Sequence, residues 1–225
     1  MVSKLSFTEE NYLKAIYHLS DGGNENVNTN ALAESMNTTP ASANDMVKRL
    51  SQKKLIGYQK YKGAKLLPQG KKIALTIVRK HRLWEVFLVD KLEFKWDEVH
   101  EIAEQLEHIK SPALIERLDQ FLGHPTMDPH GDPIPNADGI MTKTIRACIS
   151  EVDVNTMGIL VAVNNDNASL LQHLDSLGLK IGSKVHVLER MDFDGSLSIT
   201  IDDNERQFLS QTVANNLMIT IIEKK

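Results

Sequence analysis

The chain has 225 residues, 41% of them hydrophobic, a formal net charge of −4 and a single cysteine. That length suits one to three packed domains, and no apolar run approaches the ~20 residues that a membrane-spanning helix needs. The opening MVSKLSFTEENY has no apolar signal core, and a lone Cys148 excludes an internal disulfide framework, so a reducing cytoplasm is the expected location.

The net charge hides an asymmetry. Residues 1–80 hold 13 Lys+Arg against 6 Asp+Glu, whereas the remaining 145 hold 13 against 24. A basic N-terminal part on an acidic body points to a polyanion partner at one end, although like charge also simply solvates a surface.

Residues 7–20 predict an amphipathic helix, capped by Thr8, with Leu13, Ile16, Tyr17 and Leu19 as its apolar positions. A polar loop rich in turn residues follows, then a short helix over 31–37 capped by Thr29 or Asn30. Thr38 or Thr39 with Pro40 opens the next helix, over 41–55; proline suits a first helical turn because its missing N–H would have no partner there. Two short helices with a tight turn form a helix-turn-helix signature. Thr39, Pro40, Ala41, Ser42, Ala43 and Asn44 open the second helix and are small enough to enter a major groove, where Asn pairs with adenine and Ser with several bases. Lys48, Arg49, Lys53 and Lys54 are placed for phosphates. Alternation over 55–74 around Lys62-Gly63 predicts a two-stranded hairpin carrying Lys60, Tyr61, Lys62 and Lys65, the wing of a winged helix-turn-helix. A helical domain whose basic hairpin binds protein is the plainer alternative.

A long helix over 75–91 delivers His81 and Glu85; a second, over 98–110 and capped by Asp97, delivers His100, Glu104, Glu107 and His108. Positions three and four apart share a helix face, so each helix presents imidazole and carboxylate together, and facing helices can close a metal site. An all-nitrogen-and-oxygen donor set favours Mn(II), Fe(II), Co(II) or Zn(II). Glu and His on an amphipathic helix are ordinarily a solvated face, but six of them within 28 positions, flanking Leu83, Val86, Val99, Ala103 and Leu106, make buried charge that an ion would neutralise. Ser111-Pro112 starts a third helix over 113–123, and the large apolar faces predict a dimer interface. Residues 123–139 contain four Pro and three Gly and predict irregular chain, in which Asp128 and His130, two apart, are placed to ligate metal or are ordinary loop residues. From 144 the runs 144–152, 158–165, 184–191, 196–202 and 217–224 are β-patterned, with one helix beginning at 168, which predicts a small SH3-like β-barrel. No phosphate loop, nucleophile elbow or zinc-protease motif occurs.

The order of parts, with KHRLWE at 80–85, VHEIAEQLEHIKS at 99–111 and PHGDPIP at 129–135, resembles the diphtheria-toxin-repressor family of metal-dependent transcriptional regulators over essentially the whole chain. The resemblance implies a mainly α protein with a small β part: a winged helix-turn-helix (1–73), a helical metal-binding and dimerisation domain (74–141) and an SH3-like, FeoA-like domain (142–225). It assigns His81, Glu85 and His100 to an ancillary site, and Glu104, Glu107 and His108 to a primary site joined by Asn11 from the first helix. Glu104 stands where iron-type members have cysteine and manganese-type members glutamate; Asn11 stands where they have methionine and aspartate. Lys14 falls where manganese-type sites carry a further acidic ligand, so a two-metal cluster is not expected. Asp128 and His130, with Glu85 shared and Asp166 completing the set, match a second site of some manganese-type members.

The implied function is a cytoplasmic, homodimeric repressor, activated by Mn(II) in preference to Fe(II), with Zn(II), Co(II) or Cd(II) as substitutes in vitro. It binds palindromic double-stranded operators of metal-uptake genes and needs neither membrane nor small-molecule substrate. The DNA contacts expected are Thr39, Pro40, Ala41, Ser42, Asn44, Lys48, Tyr61 and Lys62. In this reading a carboxylate-rich apo site carries repulsion that metal removes. Two rivals stand beside it: a constitutive DNA-binding regulator with a purely structural metal, and a small metalloenzyme using the same ligands with an open coordination position.

Overall fold

A computed structural model describes residues 5–59, 62–141 and 145–222, and divides the chain into two compact units. The first comprises residues up to His81 together with 104–113 and 135–140; the second comprises 82–103, 114–134 and the chain from 141 onward.

The first unit opens with α1 (Phe7–Leu19). Its cap is Ser6, not the expected Thr8: the Ser6 hydroxyl accepts the Glu9 N–H at 3.2 Å, and the Ser6 N–H donates to the Glu9 carboxylate at 3.0 Å. That reciprocal pair satisfies two otherwise unpartnered donors, which one hydroxyl at Thr8 could not do. Helix α2 (Thr29–Ser35) is capped by Asn28, ahead of the expected Thr29 or Asn30, and α3 (Pro40–Gln52) by Thr39. Ala43, Val47 and Leu50 recur at helical spacing on α3 and pack with Leu13, Ile16 and Leu32 in the core of this unit. Ala43 is therefore buried, not presented outward as expected.

Strands β1 (Ile56–Gln59) and β2 (Gly63–Leu66) pair antiparallel as the wing, with Gln59 opposite Gly63. Gly63 has φ +91, and a Cβ there would collide with the Val27 carbonyl, whose residue bridges Ala64; only glycine lets the wing lie this close. Lys60 and Tyr61, expected at the wing tip, lie outside the described residues.

Helix α4 (Pro68–Leu92) starts seven residues before the expected 75, with proline in its first turn. Helix α5 (His100–Leu106) is shorter than the expected 98–110. Asp97 lies in a turn ahead of it, and Glu107 and His108 lie in a turn behind it. The chain leaves the helix through a tighter bond, the Ile109 N–H donating to the Leu106 carbonyl at 3.1 Å, and Pro112 only bars Ser111 from helical backbone further on.

Helix α6 spans Pro112–Phe121, and its residues from 114 onward belong to the second unit. The sheet has six antiparallel strands: β3 (Ala147–Cys148), β4 (Met157–Val163), β5 (Lys184–Arg190), β6 (Leu197–Ile201), β7 (Arg206–Leu209) and β8 (Leu217–Ile221), in the order β3-β8-β4-β5-β6-β7. Register shifts at Leu160/Ala162 and Val187/Glu189 bend β4 and β5. Helix α7 (Ala168–Ser176) buries Leu171 and Leu174 against Leu160, Val187, Ile199 and Leu217. Strand β7 and the four-residue α8 (Gln211–Ala214) carry no clear alternation and escape the sequence reading.

Candidate metal centres and nucleic-acid interface

Two clusters of nitrogen and oxygen donors form, one inside each unit. In the first unit α1 and the segment 104–110 meet. The Glu107 side chain is fully buried. Its Oε2 lies 2.7 Å from both Lys14 Nζ and His81 Nδ1, while its Oε1 is buried with no hydrogen-bond partner among the described residues. Burial pushes the Glu107 carboxyl upward, but the His81 bond and the Lys14 and His81 charges together hold it below the usual range.

His108 directs Nδ1 at Glu10 Oε2, 2.7 Å away, which leaves Nε2 facing Glu107 Oε1 at 3.8 Å. A carboxylate on one ring nitrogen fixes the tautomer and frees the other for a metal. Phe7 stacks on the same ring at 4.6 Å. Asn11 Oδ1 is a second buried oxygen without a partner among the described residues. Glu107 Oε1 thus faces an oriented imidazole, and both it and Asn11 Oδ1 are buried oxygens that protein alone leaves unpaired among the described residues, groups that a small cation would satisfy.

Lys14 changes the electrostatics expected here. Its ammonium bridges Glu104 and Glu107, and its side chain is 11% exposed. Part of the carboxylate charge is thus already offset by the chain itself, which relieves the repulsion between the two groups in part. Lys110 adds to this: it donates to the Leu5 carbonyl at 2.8 Å and lies 5.4 Å from the Phe7 ring centre. Burial pushes the Lys80 ammonium downward.

In the second unit Glu85, Asp128 and His130, all buried, bring ligand atoms within 4.8 Å of one another. His100 Nδ1 lies 3.7 Å from Glu85 Oε1 and 2.9 Å from Asp166 Oδ2. Hydrogen bonds from Asp166 and then Glu85 push the His100 imidazole up to about 10, and the same His100 bond pulls Asp166 down. Burial, then the Glu85 charge, pushes Asp128 up to about 7. The crowding of Asp128 by Glu85, which Arg82 offsets only in part, is what a divalent ion would relieve further.

The loop 128–133 is built to hold these donors. Asp128 Oδ1 accepts the N–H groups of His130 and Asp132, both at 2.9 Å. Arg82 Nε lies 3.3 Å from Asp128 Oδ2, and its other nitrogens bond Asp132 at 3.0 Å and the Pro133 carbonyl at 2.6 Å. Gly131, at φ +84, lies so close to β4 that a Cβ would strike the Val161 carbonyl.

The structure therefore places His81 beside Glu107 in the first unit, and gathers Glu85, His100, Asp128, His130 and Asp166 in the second. Glu10 and the bridging role of Lys14 were missed from sequence. Glu10 had a signal, since a ligating histidine ordinarily hands its other nitrogen to a carboxylate.

On the nucleic-acid side, Thr39, Pro40, Ala41 and Ser42 are exposed at the start of α3, and Lys48 and Lys62 are exposed as well. The Thr39 hydroxyl is engaged as a cap and lies 3.0 Å from Ser42 Oγ. Asn44 is half-buried, and its Oδ1 accepts the Tyr58 hydroxyl at 3.0 Å. Lys53 is drawn inward: its Nζ lies 2.6 Å from Glu9. Tyr61 lies outside the described residues.

Residues 4–64 match the family model of the iron dependent repressor N-terminal DNA binding domain, 67–136 that of the iron dependent repressor metal binding and dimerisation domain, and 148–221 the FeoA domain. A manganese-dependent transcriptional repressor solved in complex with manganese is 32% identical, with a TM-score of 0.88 over 95% of this chain and 100% of its own. The manganese regulator SloR is 35% identical, with a TM-score of 0.78 over 95% and 98%. The iron-dependent repressor IdeR of Mycobacterium tuberculosis (strain ATCC 25618 / H37Rv) is 33% identical over 134 residues, 60% of this chain and 58% of that protein. The chain thus spans under two thirds of that curated relative's length. Among the described residues no helix is long and apolar enough to cross a membrane.

Proposed function

The chain belongs to the diphtheria-toxin-repressor family of metal-dependent transcriptional regulators, and on that premise we propose that it is a cytoplasmic homodimeric repressor that binds palindromic operators of metal-uptake genes when loaded with Mn(II), or secondarily Fe(II). The observation that carries this reading is the pair of orphaned oxygens, Asn11 Oδ1 and Glu107 Oε1, in the same unit as the winged helix-turn-helix.

We assign Asn11, Glu104, Glu107 and His108 as one ligand set, with Glu10 orienting His108. Glu85, Asp128, His130 and Asp166 form the other, with His100 bonded to Asp166 and His81 held by Glu107. A divalent ion supplies positive charge and a cross-link between α1 and the 104–108 segment. The chain's own residues do the rest: Glu10 holds the His108 tautomer, Phe7 covers its ring, and α1 packs on α3 through Leu13, Ile16 and Val47. The all-nitrogen-and-oxygen sets, without thiolate, favour the harder Mn(II) over Fe(II), and the manganese in the first similar structure supports the same choice.

The α3 N-terminus enters the major groove through Pro40, Ala41, Ser42 and Asn44, and Lys48, Lys62 and Tyr61 take the phosphates. Exposed Leu92, Leu114 and Phe121 support a dimer face. A symmetric dimer then reads two half-sites about 34 Å apart.

Fluorescence anisotropy on a palindromic uptake-gene promoter, with Mn(II), anaerobic Fe(II), Zn(II) or chelator, tests this. Tight binding with Mn(II) and weak binding in chelator is the expected result. Equal binding in all four would leave a DNA-binding protein whose metal is structural.

A further inference from the structure

We propose that Lys14 is a built-in cation that competes with metal for the α1 donor set, holding α1 to the 104–107 segment when no ion is bound. The proposal rests on the reading that this set takes a divalent metal.

Lys14 and Asn11 lie three positions apart on α1, so they face the same partner. The Lys14 ammonium takes lone pairs from two carboxylates at once, bridging Glu104 Oε1 and lying 2.7 Å from Glu107 Oε2. Its side chain is 11% exposed and that of Glu107 fully buried, so these are charges meeting in a poorly solvated place, where such a bond is strong. The oxygens it does not reach, Glu107 Oε1 and Asn11 Oδ1, are the ones left without partners among the described residues. One donor pair is thus occupied by the chain's own cation and one is open.

Charge points the same way: Glu10 Oε1 already has Lys110 Nζ 3.8 Å away, whereas the Glu104–Glu107 pair shares the single positive charge of Lys14. An incoming ion that uses Glu104 must draw it away from Lys14, so Lys14 lowers affinity for metal while stabilising the metal-free form. A lysine that served packing alone would not show that opposition.

The test titrates Mn(II) calorimetrically into the full chain and into Lys14→Met, both carrying His130→Ala to silence the second donor set. Lys14→Met is expected to bind one Mn(II) about tenfold or more tightly than its parent, and in EDTA to melt at lower temperature, the deficit vanishing when Mn(II) is added. Lys14→Gln, neutral but still polar, is expected to shift affinity in the same direction and serves if the methionine variant does not fold. Unchanged or weaker Mn(II) affinity in the neutral variants would overturn the competition while leaving the metal site standing. Absence of Mn(II) binding in the parent and in both variants would sink the metal reading of this set, and the competition with it.

Discussion

His130 donates its Nε2–H to the backbone carbonyl of Trp96 at 2.8 Å, which leaves Nδ1 as the nitrogen facing Glu85, 3.9 Å away. The Trp96 indole stacks on the same ring at 6.1 Å and is itself pinned by its Nε1–H to Asp175 at 3.0 Å. The His130 carbonyl accepts the Val163 N–H of β4 at 2.9 Å. Ring, tautomer and backbone are thus all fixed before any ion arrives. Trp96→Ala keeps this backbone carbonyl and removes only the stacked indole, so it should lower affinity at the second donor set modestly, and by far less than loss of His130 itself. His130→Ala should remove one bound ion per chain. Equilibrium dialysis followed by atomic emission counts the ions; full occupancy in both variants would remove this histidine from the ligand set.

Glu10 does for His108 what the Trp96 carbonyl does for His130. Glu10→Ala should weaken Mn(II) binding at the first set by roughly 10–100-fold with little change in fold, because Phe7 still covers the ring. Circular dichroism would confirm the fold and calorimetry the affinity. Wild-type affinity would show that His108 needs no orienting carboxylate.

The spacing of Glu104, Glu107 and His108 points them to one face in the sequence, although α5 ends at Leu106 and the last two residues sit in a turn. A turn that continues from a helix keeps near-helical spacing for one more step, so Lys14 still bridges Glu104 and Glu107, and His108 still faces Glu107, despite the different boundary. The winged helix-turn-helix was legible for similar reasons: Thr39-Pro40 and the Lys62-Gly63 turn signal local backbone geometry. The Trp96 carbonyl was not legible, because a backbone acceptor has no residue type. Lys14 was visible only as a residue unable to ligate, since its bridging of Glu104 and Glu107 joins positions some 90 residues apart. The Ser6 cap was missed because Thr8 is an equally good capping residue by type, and only the reciprocal bond to Glu9 decides between them.

The Asn44 amide is already committed on one side, since its Oδ1 accepts the Tyr58 hydroxyl from β1. The amide retains one lone pair and both N–H groups for a base edge. Asn44→Ala should cost roughly 1–3 kcal/mol of discrimination between operator and mismatched site, and Tyr58→Phe about 1 kcal/mol by loosening the same side chain. Lys62→Ala should instead weaken all sequences alike and reduce the salt slope by about one. Competition anisotropy across salt separates these; a sequence-specific loss from Lys62→Ala would contradict its phosphate role.

Glu9 joins the cap of α1 to the end of α3, closing the reciprocal bond with Ser6 while its Oε1 meets Lys53 Nζ at 2.6 Å. Burial raises its carboxyl, but the Lys53 hydrogen bond, the Ser6 N–H and the Lys53 charge outweigh this and leave it below the ordinary 4.5. A carboxyl depressed in the folded state stabilises the fold above its unfolded value, and that contribution is lost as pH falls through the folded value. Glu9→Gln should therefore be less stable than the parent by about 1 kcal/mol near pH 6, and the gap should close as pH drops below about 4.5. The raised Asp128 and the depressed Glu107 and Asp166 are present in both proteins and cancel in the difference. Urea unfolding of metal-free protein between pH 3 and pH 7 measures the gap directly. A gap that stays constant across that range would mean that the Glu9–Lys53 pair contributes shape to this unit and no charge.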